Sequence, residues 1–398
     1  MRARTPNPFA LALFWLGLQT VWGALLGISL QARTLQLVSS DALVAYGHLA
    51  ALGASVAALT QIGVGFWTDA RRRQGSRRIE FYASGAIAGA VAIAAFYEAP
   101  TFAWLTLAYV ALQASLNVAI GPYQAVIPDF VETRSTGVAS SWMAALQSIG
   151  NALGAIFAST IADARALAGA VDAVLLATCA ATCLHVGRLV PRSQPPPARL
   201  TVSREFVDLF VSRAFIYVGF FTLVGYLLFY VDGVPGAKNL AAARLQSGIL
   251  ILIFTLVGAA GAAVAAKPSD RLDRRLVATV GAVLMAAALA TFIAAHTIAL
   301  AAAATCLAGL GWGVFLVADW ALACRVMPAG AAATGMGIWN LALVLPQIAA
   351  PLLTTAVLQR AGLTGPSQGP RAAFALAIGE TFVGTAWLWR LSRCAERE

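Results

Sequence analysis

Gly65-Phe66-Trp67-Thr68-Asp69-Ala70-Arg71-Arg72-Arg73-Gln74-Gly75-Ser76-Arg77-Arg78 decides how this chain is read. It places five arginines around one aspartate, between two long apolar stretches. The pattern returns as Ala266-Lys267-Pro268-Ser269-Asp270-Arg271-Leu272-Asp273-Arg274-Arg275, again between apolar stretches. Asp69 and Asp270 are 201 positions apart, and Pro128 in Val126-Ile127-Pro128-Asp129 stands 200 before Pro328 in Val326-Met327-Pro328-Ala329. So long a fixed period, carried by basic loops, reads as a duplicated half.

Composition supplies the solvent. Of 398 residues, 60% are hydrophobic and 11% charged, and the mean hydropathy is +0.78. Soluble domains carry about 25% charged residues, so lipid is the medium to expect. The net charge of +10 does not point to nucleic acid, because the basic residues cluster in short loops between apolar spans. The five cysteines lie in apolar spans or beside basic ends, which implies no disulfide framework and no metal set. The N-terminal apolar run continues to Leu30, longer than a cleavable signal core, and is read as a retained helix.

Apolar spans of about 20 residues cross a bilayer. Twelve are expected: 9–31, 43–66, 79–97, 102–126, 136–160, 170–190, 206–230, 243–266, 276–295, 299–323, 336–358 and 371–390. With both termini inside, twenty Lys and Arg fall in cytosolic segments and six outside, with Arg213 left within a helix. The positive-inside rule therefore places both termini in the cytosol. The expected organisation is an all-α membrane protein of two pseudo-symmetric six-helix bundles, 1–190 and 205–398. The proline-rich segment 191–204 joins them as a cytosolic spacer.

At this level the residues resemble the major facilitator superfamily. Gly65-x-x-x-Asp69 with Arg71 and Arg72 is similar to its loop signature, and Asp270-Arg271-x-Asp273-Arg274-Arg275 to the second copy, with Ala266 where a glycine is usual. Within the superfamily, Asn117 to Asp129 with Pro122-Tyr123, Ser212-Arg213 with Gly219, Asp319-Trp320-Ala321-Leu322, Gly337-Ile338-Trp339-Asn340 and Pro346-Gln347 resemble glycoside–pentoside–hexuronide:cation symporters and sucrose-type transporters. The resemblance implies alternating access, with helices one, four, seven and ten around a cavity. Helix two holds His48, Ser55 and Gln61 where melibiose-type symporters hold acidic residues, so a sodium site of that type is not expected. A proton gradient is the expected drive.

Three ionisable residues lie well inside helices: Arg213, Asp319 and Glu380. Each costs roughly 2.5–3.5 kcal/mol at mid-bilayer if unpaired. Arg213 and Asp319 come at about 12 and 13 Å from the cytosolic side at the rise of a helix. Pairing is expected, either as a coupling pair under proton or substrate control or as a structural clamp. Glu380 is a further coupling candidate. Polar residues at helical spacing supply the candidate cavity: Gln19 and Trp22 on helix one, and Gln113, Asn117 and Tyr123 on helix four. Gln147 and Asn151 add helix five, Tyr217 helix seven, and Asn340 and Gln347 helix eleven. Amides serve sugar hydroxyls and aromatic rings serve the C–H face. The alternative use of these amides is interhelical bonding.

Gly150 and Gly154 form a small-x-x-x-small contact, and Pro346 and Pro351 bend helix eleven. Gly65, Asp69, Arg71, Arg72, Asp270, Arg271 and Arg274 form the gating loops. Asp69 is expected at the start of helix eleven and Asp270 at that of helix five, each favoured by the helix dipole. The expected function is a secondary transporter of a small polar solute, of the sugar or glycoside class, in the cell membrane as a monomer. Its partners are the lipid bilayer and the solute. An exporter of amphipathic compounds is the alternative, with a non-transporting sensor behind both. No nucleotide loop or nucleophile with a base suggests an enzyme.

Overall fold

The computed structural model of the chain describes residues 6–73, 78–124, 126–131, 136–189, 203–234, 237–326 and 332–391. Asn7 caps the first helix, its side chain accepting from Phe9 N at 3.0 Å, with Pro8 at the first helical position. That helix, α1 (Pro8–Ala24), runs through one π-helical turn (Leu25–Ser29) into α2 (Leu30–Leu37). Then follow α3 (Ala42–Arg73), α4 (Ile79–Tyr97), α5 (Phe102–Tyr123), the short α6 (Val126–Phe130), α7 (Thr136–Thr160) and α8 (Ala164–Val186). The second half holds α9 (Arg204–Gly233), α10 (Leu240–Arg271), α11 (Arg274–Ala294), α12 (Ile298–Val326), α13 (Ala332–Ala361) and α14 (Gln368–Leu388).

Counting α1, the π turn and α2 as one pass and setting aside α6, the described residues form twelve long helices and no strand. Ten spans among them are long and apolar enough to cross a membrane. The all-helical membrane architecture expected from the apolar spans is the one the chain adopts. Two borders differ. The stretch from Gly65 is helical as far as Arg73, and α10 carries the second copy to Arg271. Alanine and arginine are good helix formers, so α3 continues into its arginines; α10 continues through Pro268 to Arg271 in its last turn, where a cation favours the carboxyl end of the helix dipole. The brief turn read at His296-Thr297 is real: α11 ends at Ala294, and Thr297 Oγ1 accepts from Leu300 N at 3.3 Å.

Two compact units appear, residues 1–40 with 52–195, and 41–51 with 196–398. In the first, α1 and α7 meet backbone to backbone. A methyl on Gly150 would sit 2.4 Å from the Leu16 carbonyl oxygen, and one on Gly154 would sit 2.1 Å from that of Thr20. Lipid tails give no hydrophobic reason for helices to associate, so the attraction comes from this close packing. The small-residue contact read at Gly150 and Gly154 is thus what joins α7 to α1.

In the second unit Gly258 and Gly313 bring α10 and α12 together in the same way. Ser212 Oγ donates to the Gly384 carbonyl at 2.7 Å, joining α9 to α14. The first turns of α3, residues 41–51, belong to this unit: Tyr46 packs edge-on against Tyr226, 5.7 Å between centroids.

Candidate functional site

In the second unit a charged centre forms inside the apolar body. Ser203 caps α9, accepting from Phe206 N at 3.1 Å, and Arg213 follows on the same helix about 14 Å along it by helical rise. It pairs with Asp319 of α12 through its Nη1 and the carboxylate Oδ2, with side chains 4% and 1% exposed. Nη2 donates to Tyr217 Oη at 3.1 Å. The guanidinium carbon lies 4.5 Å from the Tyr217 ring, 4.7 Å from Trp339 of α13 and 6.0 Å from Trp320. Cation–π contact and hydrogen bonding together offset what the charges lose on leaving water. The pairing expected from matched depths is present.

An aromatic wall continues from Tyr217. Its ring centroid lies 4.9 Å from Trp312, and Trp312 stacks on Phe220 at 4.0 Å with planes 7° apart. Phe254 of α10 lies 6.0 Å beyond Phe220. Trp312 and Phe220 were not among the sequence candidates. They sit three and seven positions from Phe315 and Arg213, a helical spacing that also describes any packed core, so nothing set them apart.

The first unit carries an uncharged relay. Gln61 Nε2 of α3 donates to Asn117 Oδ1 at 2.6 Å, and Asn117 Nδ2 donates to the Gln113 carbonyl oxygen at 2.7 Å. Gln113 Nε2 in turn donates to Tyr109 Oη at 2.8 Å. Gln113 and Asn117 are buried as the polar stripe of α5, whereas Gln124 is exposed. Tyr123 spends its hydroxyl on the Leu11 carbonyl at 2.6 Å and packs its ring against Phe14, Trp15 and Tyr82. Gln19, Trp22, Gln147 and Gln347 are half-buried, and Asn151 is exposed. The structure therefore joins Gln113 and Asn117 with Gln61, and Arg213 and Asp319 with Tyr217.

Glu380 on α14 is buried, and its Oε2 has no hydrogen-bond partner among the described residues. Of the gating residues, Gly65 is half-buried and Arg271 exposed. Arg274 Nη1 donates to the Ala321 carbonyl at 3.1 Å, tying α11 to α12. The side chains of Asp69, Arg71, Arg72, Asp270 and Asn340 lie outside the described residues, as does segment 191–202.

Two buried acidic residues were missed by the sequence. Asp129 bonds Arg78 at 2.9 Å, a pair 51 positions apart with no local signal. Asp208 accepts from Trp387 Nε1 at 3.0 Å and lies four residues after Arg204, a spacing that helical pairing rules would have found. Outside the spans, Asp273 caps α11 and accepts from Arg275 Nη2 at 2.6 Å; that side-chain bond holds its carboxyl below the ordinary value, against the opposing effect of burial.

The sequence matches the profile of the Major Facilitator Superfamily over residues 8–351 and 209–396. No curated protein matches it. Among solved structures, an inward-facing, unoccupied bacterial homolog of the human lysosomal transporter Spinster superposes with a TM-score of 0.77 at 14% identity, covering 96% of both chains. A D-xylose–proton symporter gives 0.71 at 13% identity, covering 96% of both. The nucleoside transporter NupG, as a mutant, gives 0.68 at 14%, covering 97% of this chain and 100% of its own.

Proposed function

The chain belongs to the Major Facilitator Superfamily, and from that premise we propose that it is a proton-coupled secondary active transporter of a small hydroxylated solute of the sugar or glycoside class. As a member of that family it is a multi-pass membrane transporter and not an enzyme. The observation that carries the finer reading is the Arg213–Asp319 pair, sealed within the membrane-spanning body of the second unit. A buried pair is an expensive way to hold two helices, since apolar residues of the same volume often do so as well or better. A titratable carboxylate there earns its place by changing state.

In this reading Asp319 takes a proton when its path opens to water, its hold on Arg213 weakens, and the freed guanidinium donors turn to the solute. Release of the proton on the other side restores the pair. Alternating access carries both across. The amide relay of Gln61, Asn117 and Gln113 supports a hydroxylated solute, because each amide offers a donor and an acceptor. The matching motifs at Pro122-Tyr123 and Asp319-Trp320 support the glycoside–pentoside–hexuronide and sucrose-type branch. The excess of basic residues in the segments joining helices at one side supports a cell-membrane protein with both termini in the cytosol.

A second reading, export of amphipathic compounds, draws on the stacked Trp312 and Phe220, which are more apolar than hydroxyl recognition requires. Proteoliposomes with an imposed pH gradient and labelled mono- and disaccharides separate the two. Gradient-driven sugar accumulation supports the symporter. Dye efflux without sugar movement overturns it in favour of the exporter.

A further inference from the structure

Two thiols lie together on α8, in the first unit and outside the sites described above. Cys179 Sγ and Cys183 Sγ are 3.8 Å apart, and Cys179 Sγ also donates to the Tyr82 carbonyl of α4 at 3.5 Å. Cys179 is 4% exposed, whereas Cys183 is half-buried, one turn from the end of the helix at Val186. Their spacing in sequence implies no metal set. The structure adds the separation of the two sulfurs, and that separation decides what can join them.

The helix opposes a disulfide here. Side chains four apart on one helix face hold their Cβ atoms about 5–6 Å from each other, whereas a disulfide brings them to about 3.5–4.5 Å. One atom placed between the sulfurs spans the pair without unwinding the turn. Zinc fits in angle: bonds of about 2.3 Å to sulfurs this far apart meet at roughly 110°, near the tetrahedral value. Zinc needs four ligands, however, and among the described residues no third His, Cys, Asp or Glu completes a group. Linear two-coordinate ions such as mercury need the sulfurs further apart. Trivalent arsenic that carries its own carbon substituent meets neither obstacle, because it is pyramidal and two sulfurs complete its three bonds. The product is uncharged, which suits a membrane-spanning helix, where a charge is costly.

We infer that Cys179 and Cys183 form a two-thiol site for a mono-organic trivalent arsenical. In water such a reagent carries two hydroxyls on arsenic. Two As–S bonds form while two As–O and two S–H bonds break, and each hydroxyl leaves with a thiol proton as water. Arsenic stays trivalent, and nothing is oxidised or reduced. The reagent enters at Cys183, the more exposed thiol, and closure onto Cys179 removes the hydrogen bond from that sulfur to the Tyr82 carbonyl. The bridge then staples one turn of α8 beside α4. The site stands apart from the transport reading and does not depend on it.

Phenylarsine oxide, which hydrates to phenylarsonous acid, tests it on the purified full-length protein. Mass spectrometry should find one phenylarsenic group per chain, on a peptide that contains both Cys179 and Cys183. Excess glutathione, a monothiol, should leave the group in place, and 2,3-dimercaptopropanol should remove it. Cys179→Ala and Cys183→Ala should each weaken binding by about 10²-fold or more, because no second sulfur then closes the ring. Moving one thiol by a single position, as Cys183→Ala with Leu184→Cys, should weaken it as much, since position 184 turns away from Cys179. Cys306→Ala, which removes an exposed thiol on α12, should change nothing. A single variant with wild-type affinity, release by glutathione, displacement by zinc at equal concentration, or ready oxidation of the pair to a disulfide by diamide overturns the inference. Resistance to glutathione is read on wild-type protein and decides alone if a variant does not fold.

Discussion

Arg213 and Asp319 show how much one pair of residues settles. Each sits in an apolar helix where a lone charge is costly, so the sequence itself demanded a partner, and matched depth named it. What it lacked was the surrounding ring set: Tyr217 and Trp339 come from different helices and meet only in the fold. The pair makes a prediction at this scale. Asp319→Asn alone, or Arg213→Gln alone, leaves a buried group without its counter-charge and should lower stability by roughly 3–5 kcal/mol. The double change removes both charges and should recover most of that loss. Thermal unfolding of the four proteins in one detergent measures it, and a double mutant no more stable than either single one means that the pair does not hold as described.

Among the elements, helix existence was legible and helix ends were not. Twenty-residue apolar runs announce themselves, but α3 runs on to Arg73 because alanine and arginine are good helix formers, and α10 runs on to Arg271 through Pro268, against the usual preference of proline. Close helix contacts were legible where two glycines stand four apart, as at Gly150 and Gly154. Gly154→Val should destabilise by about 1–3 kcal/mol, since its side chain collides with the Thr20 carbonyl. Gly169→Ala is the contrast: nothing lies within 4 Å of the added methyl on α8, and replacing glycine within a helix should be neutral or raise stability by up to about 1 kcal/mol. Equal effects of the two would mean that α1 and α7 do not pack as described.

The start of α11 carries a pH-dependent contact. Arg275 holds the Asp273 carboxyl below its ordinary value of 3.8. A lowered carboxylate stabilises the fold above the unfolded value and loses that contribution as pH falls through the folded one. Hydrogen exchange at Leu276 and Val277, whose amides bond the Asp273 carbonyl, should therefore show no titration of this contact near neutrality and accelerate only below pH 3.8. Asp273→Ala should abolish that acid step and cost about 0.5–2 kcal/mol at neutral pH through the lost cap. An acid step that survives the substitution assigns it to another group.

Across the whole molecule, duplication and charge asymmetry carried the reading from sequence to family, because both are averages over many residues. The exchange of residues 41–51 into the second unit had no such signal: it rests on Tyr46 meeting Tyr226 and Gly47 meeting Thr355, contacts between segments nearly two hundred positions or more apart. Trp312 and Phe220, 92 positions apart on different helices, become notable only where α9 and α12 face one another. In the proposed cycle the buried pair couples solute to protons, and accumulation in proteoliposomes reads that coupling out. Wild-type protein should concentrate labelled glycoside against its gradient when the pH gradient is imposed. Arg213→Gln with Asp319→Asn, shown to be folded, should bind the glycoside more weakly through the amides that remain, and at saturating glycoside should still equilibrate and exchange it but never exceed the external concentration. A folded double mutant that accumulates as wild type does would contradict the claim and leave the pair a structural clamp.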